Sequence, residues 1–223
     1  LSISVLPDKN TFYLDEVLMN EDKTLRVLPS KALSKIPNLD LRLWCHINGV
    51  YGVPSLELMD ILESHIKDAD KTIEVGGGNG VFGRYLGLVS TDSFIQNKPE
   101  IKAYYALVAQ PIVNYGKDVL QYEASEAILH HKPSHVLGSW VTQYVEPDDP
   151  NAIGGMGSEY GLKELEFVPL LQKYIVYGNE YVHGKKYILS DPRFKVTKIF
   201  DEKNFFSRAS VPEANCLYIV ENR

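Results

Sequence analysis

The run Ile73-Glu74-Val75-Gly76-Gly77-Gly78-Asn79-Gly80 constrains the fold more than any other part of the chain. Lys71 to Val75 reads as a short buried strand, the glycines as a tight turn, and Val81 to Leu86 as the start of a helix. Glycine reaches positive φ without steric cost, and the first turn of a helix presents unpaired N–H groups. A strand, a glycine loop and a helix in this order therefore let a ligand approach the backbone closely. Units of this kind belong to parallel sheets covered by helices.

The flanking sequence keeps the same alternation. Ser55 is placed to cap a helix that carries Glu57 and Asp60 early and Leu58, Met59, Leu62 and Ile66 on one stripe. After the glycine loop come a strand at Leu88 to Thr91, a helix around Ile101 to Val108, a helix from Glu123 to His131 and a strand at Val136 to Val141. A helix over Leu162 to Leu171, a strand over Lys173 to Gly178, and strands at Lys195 to Phe200 and Asn215 to Val220 complete the pattern. The sum is an α/β fold with a sheet of six or seven strands. Residues 1–53, broken by Pro7, Pro29 and Pro37, read as an N-terminal cap ahead of a domain over 54–223.

Two fingerprints share the loop. Gly78-x-Gly80-x-x-Gly83 fits the dinucleotide pattern, whereas Glu74-x-Gly76-x-Gly78-x-Gly80 matches motif I of class I S-adenosylmethionine-dependent methyltransferases. A carboxylate at Glu74 would oppose a pyrophosphate and favour a sulfonium cofactor with an amino group. Asp92 follows at the roughly 20-residue distance of a ribose-binding acid in either reading.

On these residues the chain resembles a class I methyltransferase from about Pro54 onward. The resemblance implies a Rossmann-like, mostly parallel seven-stranded sheet with helices on both faces, and S-adenosylmethionine as cofactor. Glu74, Gly76, Gly78, Asn79 and Gly80 would then form its loop, Asp92 would hold the ribose hydroxyls, and Asp118 in Gly116-Lys117-Asp118-Val119 would contact the adenine. Ser139 and Trp140, in Gly138-Ser139-Trp140-Val141-Thr142, would end the fourth strand facing the reacting centre. No Asn-Pro-Pro-Tyr, Asp-Pro-Pro-Tyr or Pro-Cys element appears, so the usual DNA amino- and cytosine-methyltransferase motifs are missing. Gly-Ser-Trp-Val-Thr and Tyr-Gly-Asn-Glu are similar to segments of methyltransferase-like proteins of no known substrate.

Loops at the carboxyl ends of strands supply the remaining candidates. They are Tyr144 after the fourth strand and Asn179, Glu180 and His183 after the fifth, with Tyr144 and Glu180 as catalytic candidates. His46 lies in Leu43 to Gly52, an aromatic and glycine-rich stretch expected to fold over the cofactor, where it is either a base or a packed cap residue. Cys45 reads as a small buried apolar residue. Glu146, Asp148 and Asp149 read as a solvated loop rather than a metal site, and Gly154-Gly155-Met156-Gly157 as a lid.

Composition narrows the partners. A net charge of −6 gives no long-range pull on nucleic acid or anionic membranes. The longest apolar runs, Tyr174 to Tyr177 and Cys216 to Val220, fall far short of the roughly 20 residues of a membrane span. Two distant cysteines and a start, Leu1-Ser2-Ile3-Ser4, without an export pattern favour a cytoplasmic setting. The expectation is a methyltransferase acting on a small molecule or protein group, with homodimerisation left open. The alternatives are an NAD-dependent oxidoreductase using Gly78 to Gly83, or a catalytically inactive cofactor-binding protein of the same fold.

Overall fold

A computed structural model describes residues 11–108, 110–146, 149 and 157–223. Its centre is a seven-stranded sheet whose strands are, in chain order, β1 (Thr72–Val75), β2 (Val89–Asp92), β3 (Leu120–Gln121), β4 (His135–Ser139), β5 (Lys173–Asn179), β6 (Phe194–Phe200) and β7 (Asn215–Asn222). They lie side by side in the order β3-β2-β1-β4-β5-β7-β6. Strands β1 to β5 pair in parallel, and β7 runs antiparallel to both of its neighbours, β5 and β6.

The pleat sorts side chains into two cores, because successive residues of a strand face opposite sides. Ile175 and Tyr177 of β5 and Leu217 and Ile219 of β7 join one buried cluster, while Tyr174, Val176, Cys216, Tyr218 and Val220 join the other. The first cluster also takes Leu14, Leu33, Leu41 and Trp44 from the segments ahead of residue 54, together with Leu58, Met59 and Leu62 of the helix Leu56–His65. Burying each such side chain stabilises by roughly 1.5–3 kcal/mol. The first segments are therefore bound to the sheet by the same core that holds the later helices. The second cluster uses Ala127 and Ile128 of the helix Ala124–His131, with Phe167, Leu171 and Ile188.

Local chemistry explains the element ends. Ser55 Oγ accepts the Leu58 N–H at 3.0 Å as the cap of Leu56–His65 and donates to the Asn204 carbonyl at 2.6 Å. The helix expected over Leu162 to Leu171 is shorter, Glu164–Phe167 followed by a 3-10 turn at Val168–Leu170. Pro169 lacks the N–H that an α-helix would bond to the carbonyl of Leu165, four residues back. Strand β3 has only two residues, both exposed, at the sheet edge. Two small parallel or antiparallel pairs stand outside the sheet, Gly52–Val53 with Phe206–Ser207 and Gln143–Tyr144 with Gly157–Ser158. The first pair ties the loop between β6 and β7 to the segment that precedes Leu56–His65.

Among the described residues no helix is long and apolar enough to cross a membrane. The amino-terminal tetrapeptide, Asp148 and the glycines of the expected lid at 154–156 lie outside the described residues.

Candidate functional site

At the carboxyl ends of β1, β2, β4 and β5 the chain encloses a cleft of about 1000 Å³. That volume sits at the upper end of small-molecule sites, enough for a nucleoside cofactor and part of a second molecule. Its floor is the glycine loop. Gly76 and Gly78 line the cleft with φ of +63° and +55°, a region that side-chain-bearing residues avoid. A Cβ on Gly78 would also press within 3.2 Å of Val113 Cγ1. Asn79 lines the cleft beside them, its Oδ1 accepting the Val81 N–H at 3.0 Å just ahead of the next helix. Gly80 is the residue from which the helix Val81–Leu86 starts.

Asp92, the last residue of β2, is the acid that faces this space beside the glycine loop, and Glu100 and Glu159, farther along the chain, line it too. Its Oδ2 accepts the Gly78 N–H at 3.0 Å and its Oδ1 the Phe94 N–H at 2.9 Å. Burial raises its pKa, and the backbone N–H groups of Phe94 and Gly78 oppose that rise. The Ser93 N–H acts on the same carboxylate, which still offers more acceptor positions than these backbone groups fill, since a carboxylate has about four. Past Asp92 a niche is walled by Ile95, Gln96, Val113 and Tyr115. Gln96 Oε1 accepts the Val113 N–H at 2.8 Å, Tyr115 Oη accepts the Gln96 N–H at 3.3 Å, and Phe94 stacks on Tyr115 with centroids 4.3 Å apart. These bonds hold the niche open and flat-sided.

Glu74 sits elsewhere than the motif implied. It is fully buried beneath the loop and is absent from the cleft wall. Its Oε2 accepts the Gly83 N–H at 3.0 Å and the Ser90 hydroxyl at 2.5 Å, while Oε1 has no partner. The carboxyl serves the first turn of Val81–Leu86, whose N–H groups attract negative charge. Burial pushes its pKa up to about 7 against those two hydrogen bonds.

Gly80, Asp118, Glu180, Tyr144 and His46 also lie outside the cleft wall. Asp118 forms a two-bond pair with Arg84, Nε to Oδ2 at 2.9 Å and Nη2 to Oδ1 at 2.5 Å, and so clamps the helix after the loop instead of meeting an adenine. Glu180 is held by Lys198 Nζ at 2.9 Å and Tyr218 Oη at 2.6 Å. Tyr144 borders a separate, smaller cavity with its ring under Lys163 Nζ. His46 lies in the helix Asn38–Ile47 and does not line the cleft, although Gly49, Tyr51 and Gly52 of the same aromatic stretch do. Cys45 is buried, which pushes its thiol up to about 12 and leaves it inert.

The far wall follows β4 and β5. Ser139, Trp140 and Thr142 line the cleft, and Trp140 carries a φ of +58°, an outlier for a bulky residue held by its N–H on the Tyr177 carbonyl at 2.8 Å. Trp140 meets His183 edge to face at 5.2 Å and Tyr51 at 6.3 Å. His183 is buried; its Nδ1 accepts the Asn179 N–H at 3.0 Å, which puts the ring proton on Nε2. Desolvation lowers its pKa to about 3. Neutral, with its proton on the buried and unpartnered Nε2, His183 is a donor and not a base. Asn179 itself spends its amide on Val211 and Asn215 as a strut.

Arg208, which has no sequence signature, completes this wall. It lies over the Tyr51 ring at 3.5 Å. Nothing near it in sequence marks it, because the loop between β6 and β7 carries it there. Among the described residues no group of three or more His, Cys, Asp or Glu is placed to hold a metal ion. No family model matches the chain, and no curated protein matches it.

Proposed function

We propose that this cleft binds S-adenosylmethionine and that the chain transfers its methyl group to a small molecule or a protein group, as a Rossmann-like class I methyltransferase capped by residues 1–53. The observation that carries this reading is the strand order with a reversed β7 between β5 and β6. A dinucleotide fold shares the β3-β2-β1-β4-β5 portion but continues with a sixth parallel strand. The resemblance to class I methyltransferases implied a mostly parallel sheet of seven strands.

The residues present fit such a cofactor. Gly76 and Gly78 bring bare backbone to the cleft, where a Cβ would meet the Val141 and Val113 side chains, and the Asp92 carboxylate is placed to accept from ribose hydroxyls. The niche of Ile95, Gln96, Val113 and Tyr115 suits a planar base. Bound S-adenosylmethionine supplies an electrophilic methyl group, and in-line transfer requires alignment more than acid–base help. Trp140 and Tyr51 supply rigid surfaces for that alignment, and no side chain on the far wall is set up as a base.

The oxidoreductase reading keeps one observation of its own. Gly83, third in the dinucleotide pattern, is packed so tightly on Ser90 and Glu74 that no side chain fits, as the third glycine of that fingerprint requires. Isothermal titration with S-adenosylhomocysteine and with NADH separates the two. Micromolar binding of S-adenosylhomocysteine and none of NADH is expected; the reverse result overturns the proposal.

A further inference from the structure

We infer that the wall formed by Tyr51, Trp140, His183 and Arg208 is the acceptor site, and that it takes a planar molecule bearing an oxyanion, either a carboxylate or a phosphate. The inference rests on the methyltransferase reading of the glycine-loop end.

Position comes first. In the sheet order, Asp92 ends β2 and the glycine loop follows β1, whereas Trp140 follows β4 and His183 follows β5. The four-residue wall therefore stands on the opposite side of the glycine loop from the ribose acid, where a second molecule meets the first. The wall is also continuous. Arg208 lies on Tyr51, Tyr51 meets Trp140, and Trp140 meets His183.

Its chemistry is one-sided. Trp140 Nε1, His183 Nε2 and Arg208 Nη1 are all buried, and none has a hydrogen-bond partner. All three are donors, since His183 Nδ1 is already occupied by the Asn179 N–H. Buried donors left without acceptors are unfavourable, so three along one wall of an open cleft mark the place of a ligand rich in acceptors. Arg208 adds the charge. Among the described residues no carboxylate lies within ion-pair distance of it, and the Asp92 oxygens are engaged by Gly78 and Phe94. A guanidinium with two further donors nearby is matched by an oxyanion.

The platform is rigid. Arg208 N–H donates to the Tyr51 carbonyl at 3.0 Å, and Gln110 Nε2 donates to Tyr51 Oη at 3.1 Å. Flat ring faces on Tyr51 and Trp140 then favour a flat ligand.

The test uses the full chain saturated with S-adenosylhomocysteine and three probes of one size: benzoate, phenyl phosphate and benzamide. Binding is followed by ligand-observed NMR and Trp fluorescence. At least one charged probe is expected to bind tenfold or more tighter than benzamide, and the tighter of the two names the oxyanion. Arg208→Gln is expected to abolish that preference while S-adenosylhomocysteine affinity stays within twofold, which also shows that the variant folds; Arg208→Lys is expected to restore part of it. Equal binding of charged and neutral probes, or a preference that survives Arg208→Gln, overturns the acceptor assignment alone. Loss of S-adenosylhomocysteine affinity in Arg208→Gln puts the cation on the cofactor's own carboxylate and overturns it too. Failure of S-adenosylhomocysteine to bind the unaltered protein removes the methyltransferase reading and the acceptor assignment with it.

Discussion

Glu74 reaches from the middle of β1 to the Gly83 amide, 3.0 Å away in the first turn of the following helix, and passes beneath the glycine loop to do so. The loop is thus braced from below by an acid that is half protonated near neutrality, its pKa being about 7 against an ordinary 4.5.

Stability should therefore depend on pH with a defined sign. Between about 4.5 and 7 the folded chain keeps a proton that the unfolded chain has released, so stability falls as pH rises across that window and levels off above it. The full effect is on the order of 3 kcal/mol. Urea melts from pH 4.5 to 8 should show the slope in the unaltered protein and a flatter profile in Glu74→Gln. An unchanged slope in Glu74→Gln assigns the dependence to another group.

Gly83→Ala should destabilise even though alanine favours helices. Its Cβ would overlap Ser90 Oγ and lie 2.8 Å from Glu74 Oε2. Overpacking of this kind costs about 1–3 kcal/mol, against about 1 kcal/mol of helix propensity gained. Adding Ser90→Ala should recover part of the loss, which thermal denaturation of the four variants in a cycle would read out. Additive costs would show that the two sites do not collide.

Asp92→Ala should weaken S-adenosylhomocysteine binding by about tenfold to a hundredfold, the equivalent of losing charged hydrogen bonds worth about 1.5–3 kcal/mol. Gly78→Val should weaken it at least as much, because a β-branched residue is strained at a φ of +55° and its side chain fills the cradle. Calorimetric titration checks both; native affinity in the two variants would move the ligand elsewhere.

Lys186 and Glu164 form a buried ion pair at 2.7 Å, with Tyr174 Oη donating to the same Glu164 oxygen at 2.7 Å. Burial lowers the Lys186 pKa, and the Glu164 carboxylate opposes that shift. Lys186→Met leaves the acid unpaired and should cost about 3–5 kcal/mol. Lys186→Met with Glu164→Gln should regain at least half of it in urea melts. Equal losses in the single and double variants would mean that the charge on Glu164 is not the cause.

Much of the sheet was legible because its central strands are buried on both faces and rich in branched and aromatic residues, as in Tyr174 to Tyr177 and Cys216 to Val220. Strand β3 was not, since Leu120 and Gln121 are exposed at an edge and carry no pattern. Gly76, Gly78, Asn79, Asp92, Ser139 and Trp140, singled out by local motifs, line one cleft. Glu74 could not be placed from its motif, because its direction depends on Ser90 in the neighbouring strand and on Gly83 in the helix. The aromatic stretch before Pro54 does line the cleft, but through Tyr51 rather than His46, since the helix ends at Ile47 and turns away its last residues. Arg208 is distant in sequence from every other wall residue and becomes visible only when Phe206 and Ser207 pair with Val53 and Gly52.

Strand β6 hydrogen-bonds to β7 and to no other strand of the sheet. A ribosome delivers β6 first, so it emerges without a neighbour and waits for residues 215–222 to slide in beside β5. Until that insertion the connecting segment is held at its near end alone, by the pairing of Phe206 and Ser207 with Val53 and Gly52. A nascent chain stalled before residue 215 would already contain every residue that lines the cleft while β6 still stood apart from the sheet, so the site and the sheet edge beside it would mature at different moments of synthesis.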